Sequence, residues 1–301
     1  MVLRLLLSIL VVVVACSPKK PIDGPFIEGI AMGVNTNERL EEASGLVASR
    51  RHPGMLWTHN DSGHPPELFL LDSLGKTQRT FRIKDAKNRD WEDIAFGPGP
   101  DSINYIYIGD IGDNNAHHAV KTIYCVEEPS LENDGELELT GKLLIRLADK
   151  KRDTETLLID PVSRNLYLVS KREDNVWLYE VTFPFDADTL IAEPVLSLPI
   201  HSVVAGDISP DGAEILLKSY NHIYYWKRLP QQSVTEALLA PPVELPYIRE
   251  PQGESIAWSV NGSGFFTLGE NGKGERSNLH FYRRNRGKDS TQVQEIPVNN
   301  P

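Results

Sequence analysis

The sequence has too few cysteines for a disulfide framework. Two occur in 301 residues, Cys16 and Cys125, so the fold must be held by packing. Cys125 lies in the apolar stretch Lys121-Thr122-Ile123-Tyr124-Cys125-Val126 and reads as a structural residue rather than a nucleophile. Basic surplus is also lacking. Lys and Arg number 31 against 42 Asp and Glu, a formal charge of −11. That balance argues against nucleic acid as a partner, since phosphate binding needs a basic surface. It suits cations, or neutral ligands handled by carboxylates; the competing reading is that acidity only aids solubility. No Gly-x-Ser-x-Gly elbow is present. Gly272-Lys273-Gly274 lacks phosphate-loop spacing. No His/Cys spacing supports zinc. No stretch keeps a 3.6-residue apolar period over three turns, so little helix is expected. No Pro/Ser-rich linker divides the chain.

Long apolar runs are absent except at the start. Leu5 to Ala15 follows the single cation Arg4 and is too short to span a bilayer as a helix. It reads as a secretory h-region. Val13-Val14-Ala15-Cys16 resembles the bacterial lipobox, which implies cleavage before Cys16 and acylation there. An ordinary signal peptide or a buried strand are the alternatives. The organisation expected is a signal peptide over residues 1–15, a tether over 16–25 and one domain over 26–301. The acyl chains would partner a membrane, because each buried methylene contributes about 0.8 kcal/mol. Ser17 resembles the residue found in cargo sent to a Gram-negative outer membrane. The expected location is membrane-anchored, periplasmic or outer membrane.

What the sequence has in quantity is short β-type runs. Acidic residues precede or open five of them: Glu42, Glu92, Glu155, Asp207 and Glu254, spaced 50, 63, 52 and 47 residues apart. Each is followed by an apolar strand, a turn such as Pro210-Asp211-Gly212 or Asn261-Gly262, and a returning strand that ends in polar residues. A repeat of this size predicts an all-β fold, a β-propeller of four-stranded blades, five by this count. In the fourth set the outer strand is expected over Glu236 to Leu239, and in the fifth over Gln292 to Ile296. Phe26 to Gly33 is left over; it could pair with the last blade or mark a sixth. A β-sandwich is the competing architecture.

In such a blade the start of strand one and the end of strand two share a face. Both positions are polar in nearly every set, so one face should carry an acidic cluster with Lys171 and Lys218 among the carboxylates. Asp61, Glu155, Lys171, Asp207, Lys218 and Glu270 are the expected ligand-binding residues. Glu92, Asp93, Glu254 and His59 are candidates for acid-base chemistry, His59 through its expected place at the channel mouth. Crowded carboxylates repel unless a cation neutralises them, and calcium accepts six to eight oxygens. Asp110, Asp113 and Asn114 surround a glycine and are the expected calcium ligands. His59-Asn60-Asp61-Ser62-Gly63 is a similar oxygen-rich loop. The same residue types also cap turns through their own backbone.

The stretches Ser44-Gly45-Leu46, Trp57-Thr58-His59-Asn60-Asp61-Ser62-Gly63, Asp90-Trp91-Glu92-Asp93-Ile94-Ala95, Gly109-Asp110-Ile111-Gly112-Asp113-Asn114, Asp153-Thr154-Glu155, Asp207-Ile208-Ser209-Pro210-Asp211-Gly212 and Gln252-Gly253-Glu254-Ser255-Ile256-Ala257 resemble a family of secreted bacterial β-propeller lipoproteins. That family is loosely similar to TolB-like, NHL-type and phytase-like propellers. Phosphotriesterases and lactonases of similar fold hold calcium in the channel; the likeness is one of fold and transfers no catalytic residue. The expected function is a lipid-anchored propeller that binds a small ligand or calcium at an acidic channel face. A metal-assisted or two-carboxylate hydrolase acting on a phosphoester, lactone or glycoside is one alternative. A protein-interaction scaffold is the other.

Overall fold

Short runs rich in Val, Ile, Leu and Tyr, separated by glycine and aspartate turns, fold into an almost wholly β structure. The computed structural model describes residues 24–99, 103–272 and 275–285. Met1 to Ala15, Cys16 and Gln292 to Ile296 therefore lie outside the described residues. Strand β1 (Ile30–Val34) comes first. It is followed by β2 (Ala43–Ala48), β3 (Leu56–Asn60), β4 (Glu67–Leu71) and β5 (Thr77–Ile83), then β6 (Trp91–Pro98), β7 (Asn104–Asp110), β8 (Lys121–Glu127), the two-residue β9 (Glu136–Leu137) and β10 (Gly141–Leu147). The third series is β11 (Thr154–Ile159), β12 (Leu166–Ser170), β13 (Val176–Val181) and β14 (Leu190–Leu198). The fourth is β15 (Val203–Ile208), β16 (Glu214–Ser219), β17 (Ile223–Lys227), a short helix α1 (Val234–Leu238) and β18 (Val243–Leu245). The last is β19 (Ser255–Trp258), β20 (Gly264–Leu268) and β21 (Asn278–Arg283).

Within each series, successive long strands pair antiparallel. The sheet orders are β2-β3-β4-β5-β9, β15-β16-β17-β18 and β19-β20-β21-β1. The second and third series join through a parallel contact of β10 with β14, giving the eight-stranded order β6-β7-β8-β10-β14-β13-β12-β11. Its end strands β6 and β11 come back into contact. The first strands of all the series touch in a closed cycle, β2 to β6 to β11 to β15 to β19 and back to β2. These first strands are short apolar runs buried on both faces, as in β2, β11 and β19. Outer strands such as β5 and β10 keep exposed positions. The burial explains the sequence: Leu157-Leu158-Ile159 has no polar alternation because neither face meets water.

Five hydrophobic clusters fill the spaces between consecutive series. Trp57, Phe81 and Leu70 meet Trp91, Ile106 and Tyr124 between the first and second. Leu40, Leu46 and Phe69 meet Ala257, Leu268 and Leu279 between the last and first. Each fully buried Leu, Ile or Phe contributes about 1.5–3 kcal/mol, so every sheet is held by two neighbours.

One expected strand is corrected. The Glu236 to Leu239 stretch is not the outer strand of the fourth series; α1 occupies it and β18 takes the edge. Ser233 and Glu236 form a reciprocal capping box, which outweighs the apolar run in deciding the local structure. In the last series the fourth strand is β1, antiparallel to β21, with Ile30 opposite Phe281. Among the described residues no helix is long and apolar enough to cross a membrane.

Candidate functional site

Two register positions build a cleft where the first strands begin. Bulges near those starts leave one extra residue facing the second strand: Gly45 in β2, Glu92 in β6, Glu155 in β11 and Val204 in β15. Glu254 lies immediately before β19, and its carbonyl accepts the Gly45 N–H at 3.2 Å. A bulge re-aims the side chain of its extra residue, so Glu92 and Glu155 turn toward the rim. The second position follows the second strand. Asp61, Lys171 and Tyr220 come directly after β3, β12 and β16, and Glu270 two residues after β20. Gly45 itself has φ +72° and presses its backbone against Asp93 and Ile94, which fixes glycine there.

The cleft has a volume of about 500 Å³; its walls include Asp61, Glu92, Glu155, Lys171, Tyr220 and Glu254. Lys171 Nζ is 2.7 Å from Glu155 and 3.9 Å from Glu254. Tyr220 donates its hydroxyl to Glu254 at 2.5 Å and lies beneath the Lys171 ammonium. Asp153 accepts Arg172 Nε at 2.6 Å and the Asp113 N–H at 2.8 Å.

Burial dominates the protonation of this cluster. It holds Glu92 well above the usual carboxylate range, reinforced by the charges of Glu155, Asp61, Asp90 and Glu254. It pushes Glu155 up to about 8 although Lys171 pulls the other way. Asp61 rises to about 6, by burial and then by Glu254, Asp90 and Glu42, against the Ser62 N–H. Glu270 rises to about 8 through burial and the neighbouring Glu254. Burial opposes the Lys171 charge, but Glu155 outweighs it and keeps the ammonium protonated. Lys171 cannot balance these four carboxylates, so the cluster retains protons near neutral pH.

Not every expected residue reaches the cleft. Asp93 is fully buried, and its oxygens accept the backbone N–H groups of Ile94 at 2.9 Å and Leu157 at 3.0 Å. Asp207 does not open a strand: β15 begins at Val203, and the Asp207 carboxyl accepts the Trp258 N–H at 2.8 Å. These two acids tie β6 to β11 and β15 to β19. Glu42 precedes β2 and pairs with His64 at 3.0 Å. His59 is buried against Trp91 rather than at a mouth, and burial pulls its pKa down to about 4. Lys218 is fully buried; its ammonium donates to the Gly253 carbonyl and lies 4.7 Å over the Tyr247 ring. It thereby supports the backbone that carries Glu254. Burial brings Lys218 down to about 8 against the pull of Glu250 and Glu254.

The expected calcium loop uses its oxygens locally. Asp110 accepts the Asp90 N–H at 3.0 Å, Asp113 accepts the N–H groups of His117 and His118 at 2.8 Å each, and Asn114 accepts from Arg172. Carboxylates close enough to share one cation occur instead as Asp61–Asp90–Glu92, Asp61–Glu254–Glu270 and Glu92–Asp153–Glu155, with oxygens within 4.8 Å of one another in each set. Asp90 and Tyr220 are site residues that the expected set omits. The signal for Tyr220 was its place directly after a second strand, matching Asp61 and Lys171.

No protein-family model matches the chain, and no curated protein does. Among solved structures the chain is similar to hydrazine synthase of Kuenenia stuttgartiensis, with a TM-score of 0.43 and 8% identity over 81% of this chain and 72% of that one. A likeness of that size carries no argument about chemistry.

Proposed function

We propose that this chain is a lipid-anchored, extracytoplasmic five-bladed β-propeller whose acidic cleft binds a small cationic ligand, either an organic amine or a metal ion such as calcium. The closed cycle of first strands and the five cores between consecutive sheets support the propeller. The run from Leu5 to Ala15 before Cys16 supports the anchor in a bacterial periplasmic or outer-membrane setting. One observation carries the ligand class: Asp61, Glu92, Glu155 and Glu254 line one cleft, and Lys171 is the only cation in ion-pair distance of any of the four among the described residues. A cationic ligand would supply the missing charge.

Isothermal titration of the detergent-solubilised chain with calcium, magnesium and a polyamine, with neutral glycans and phosphoesters as comparison, tests the reading. Cations should bind, with affinity falling as salt rises. Heat from none of the cations would sink it. A second reading, a two-carboxylate hydrolase, is favoured by buried Glu92 sharing a cleft with Glu254, which is held by Tyr220 and Lys171. Turnover of a glycoside, phosphoester or lactone that disappears in both Glu92→Gln and Glu254→Gln would establish that reading instead.

A further inference from the structure

The three carboxylate sets around the cleft differ in how far the protein already compensates them. In Glu92–Asp153–Glu155, Asp153 is paired with Arg172 and Glu155 with Lys171. In Asp61–Glu254–Glu270, Glu254 has the Tyr220 hydroxyl and Lys171 at 3.9 Å. In Asp61–Asp90–Glu92, no Lys, Arg or His among the described residues lies within ion-pair distance of any of the three carboxylates. Arg89 and Lys121 act on Asp90 only from farther away.

Glu92 adds an independent observation. Its residue is 4% exposed and lines the cleft, yet its carboxylate has no hydrogen-bond or ion-pair partner among the described residues. A largely buried side chain whose carboxylate meets only the cleft, with no partner among the described residues, is unfavourable. A proton relieves Glu92 alone, whereas a cation at the meeting point also offsets the charges of Asp61 and Asp90. Gly112 closes the other side. A Cβ there would fall 2.0 Å from Glu92 Oε1 and 2.4 Å from Asp90 Oδ2, so glycine leaves both carboxylates their place.

We propose that Asp61, Asp90 and Glu92 seat a hard divalent cation of calcium size at the wall of the cleft. This rests on the cation-binding reading above and assigns the ion and its ligands. All three donors are oxygen, which disfavours zinc. One oxygen from each lies within 4.8 Å of the others, close enough to share an ion bound at about 2.4 Å. Asp61 and Asp90 are only partly buried, which leaves room for water to complete the shell.

The test uses the full chain, freed of metal by a chelator and titrated with calcium alone, by calorimetry and thermal shift. Wild type should bind one ion and melt at a higher temperature with it. Glu92→Gln and Gly112→Ala should each weaken binding at least about tenfold, since ligand charge and placement set calcium affinity. The loss in Glu155→Gln should be several-fold smaller. Circular dichroism checks folding, and half-buried Asp61→Asn replaces Glu92→Gln if that variant fails to fold. Polyamine binding without calcium binding overturns this assignment and leaves the cationic cleft standing; binding of neither overturns both. Calcium binding unchanged in Glu92→Gln, or lost equally in Glu155→Gln, also overturns the assignment.

Discussion

Replacing Asp207 with Asn should stabilise this protein at neutral pH. Asp207 is one of the recurring acids, yet it lies inside β15, half-buried, with the Trp258 N–H as its link to β19. Burial raises its pKa from 3.8 to about 7, against the Trp258 N–H and a weaker pull from Arg50. The unfolded chain ionises Asp207 above about pH 4. The folded chain keeps the proton until about 7, so it binds more protons between those values. Stability therefore falls as pH rises through that window and is fully present below it. Between 3.8 and about 7, at about 1.4 kcal/mol per pH unit, the upper limit is ~4 kcal/mol. Asn keeps an acceptor for Trp258 and cannot ionise. Urea unfolding of wild type and Asp207→Asn at pH 4, 5.5, 7 and 8 measures the difference. The two should agree near pH 4, and the variant should lead by roughly 2–4 kcal/mol at pH 7–8. An Asn variant that is weaker at pH 7, with the wild-type pH slope retained, would mean that Asp207 is ionised in the fold and refute the reasoning.

Lys171→Met removes the partner of buried Glu155 and should cost most where Glu155 is ionised, approaching about 3–5 kcal/mol only above its pKa of about 8. The loss should be larger at pH 8 than at pH 5, where Glu155 can take a proton; equal losses at both pH values in thermal melts would count against the pairing. His59, held down to about 4 by burial, should show no imidazole titration by NMR between pH 5.5 and 8. A midpoint near 6.5 would place its ring in contact with solvent.

Much of the β framework is legible in the sequence because turn chemistry and residue type are local. Pro210-Asp211-Gly212 becomes the β15–β16 turn: Gly212 has φ +73° and its N–H bonds to Ser209. The leftover N-terminal segment does supply a strand that pairs with the last series. α1 is also locally encoded, since Ser233-Val234-Thr235-Glu236 is a capping-box pattern. The acidic recurrence is subtler. Glu92, Glu155 and Glu254 share the rim, whereas Asp207 and Asp93 bond neighbouring backbones out of reach of the cleft.

The sequence by itself determined that this chain is β-rich, acidic, poor in cysteine and organised by a recurring acid near successive strand starts. Those properties follow from composition and from contacts between near neighbours. Only the tertiary structure decided which acids are functional candidates. A shift of one residue at a bulge moves a carboxylate from the interior to the rim, and that register depends on the partner strand. It also decided which carboxylates stay uncompensated. Arg172 reaches Asp153 and Lys171 reaches Glu155, whereas among the described residues no cation pairs with Glu92, and that difference comes from groups far apart in the chain.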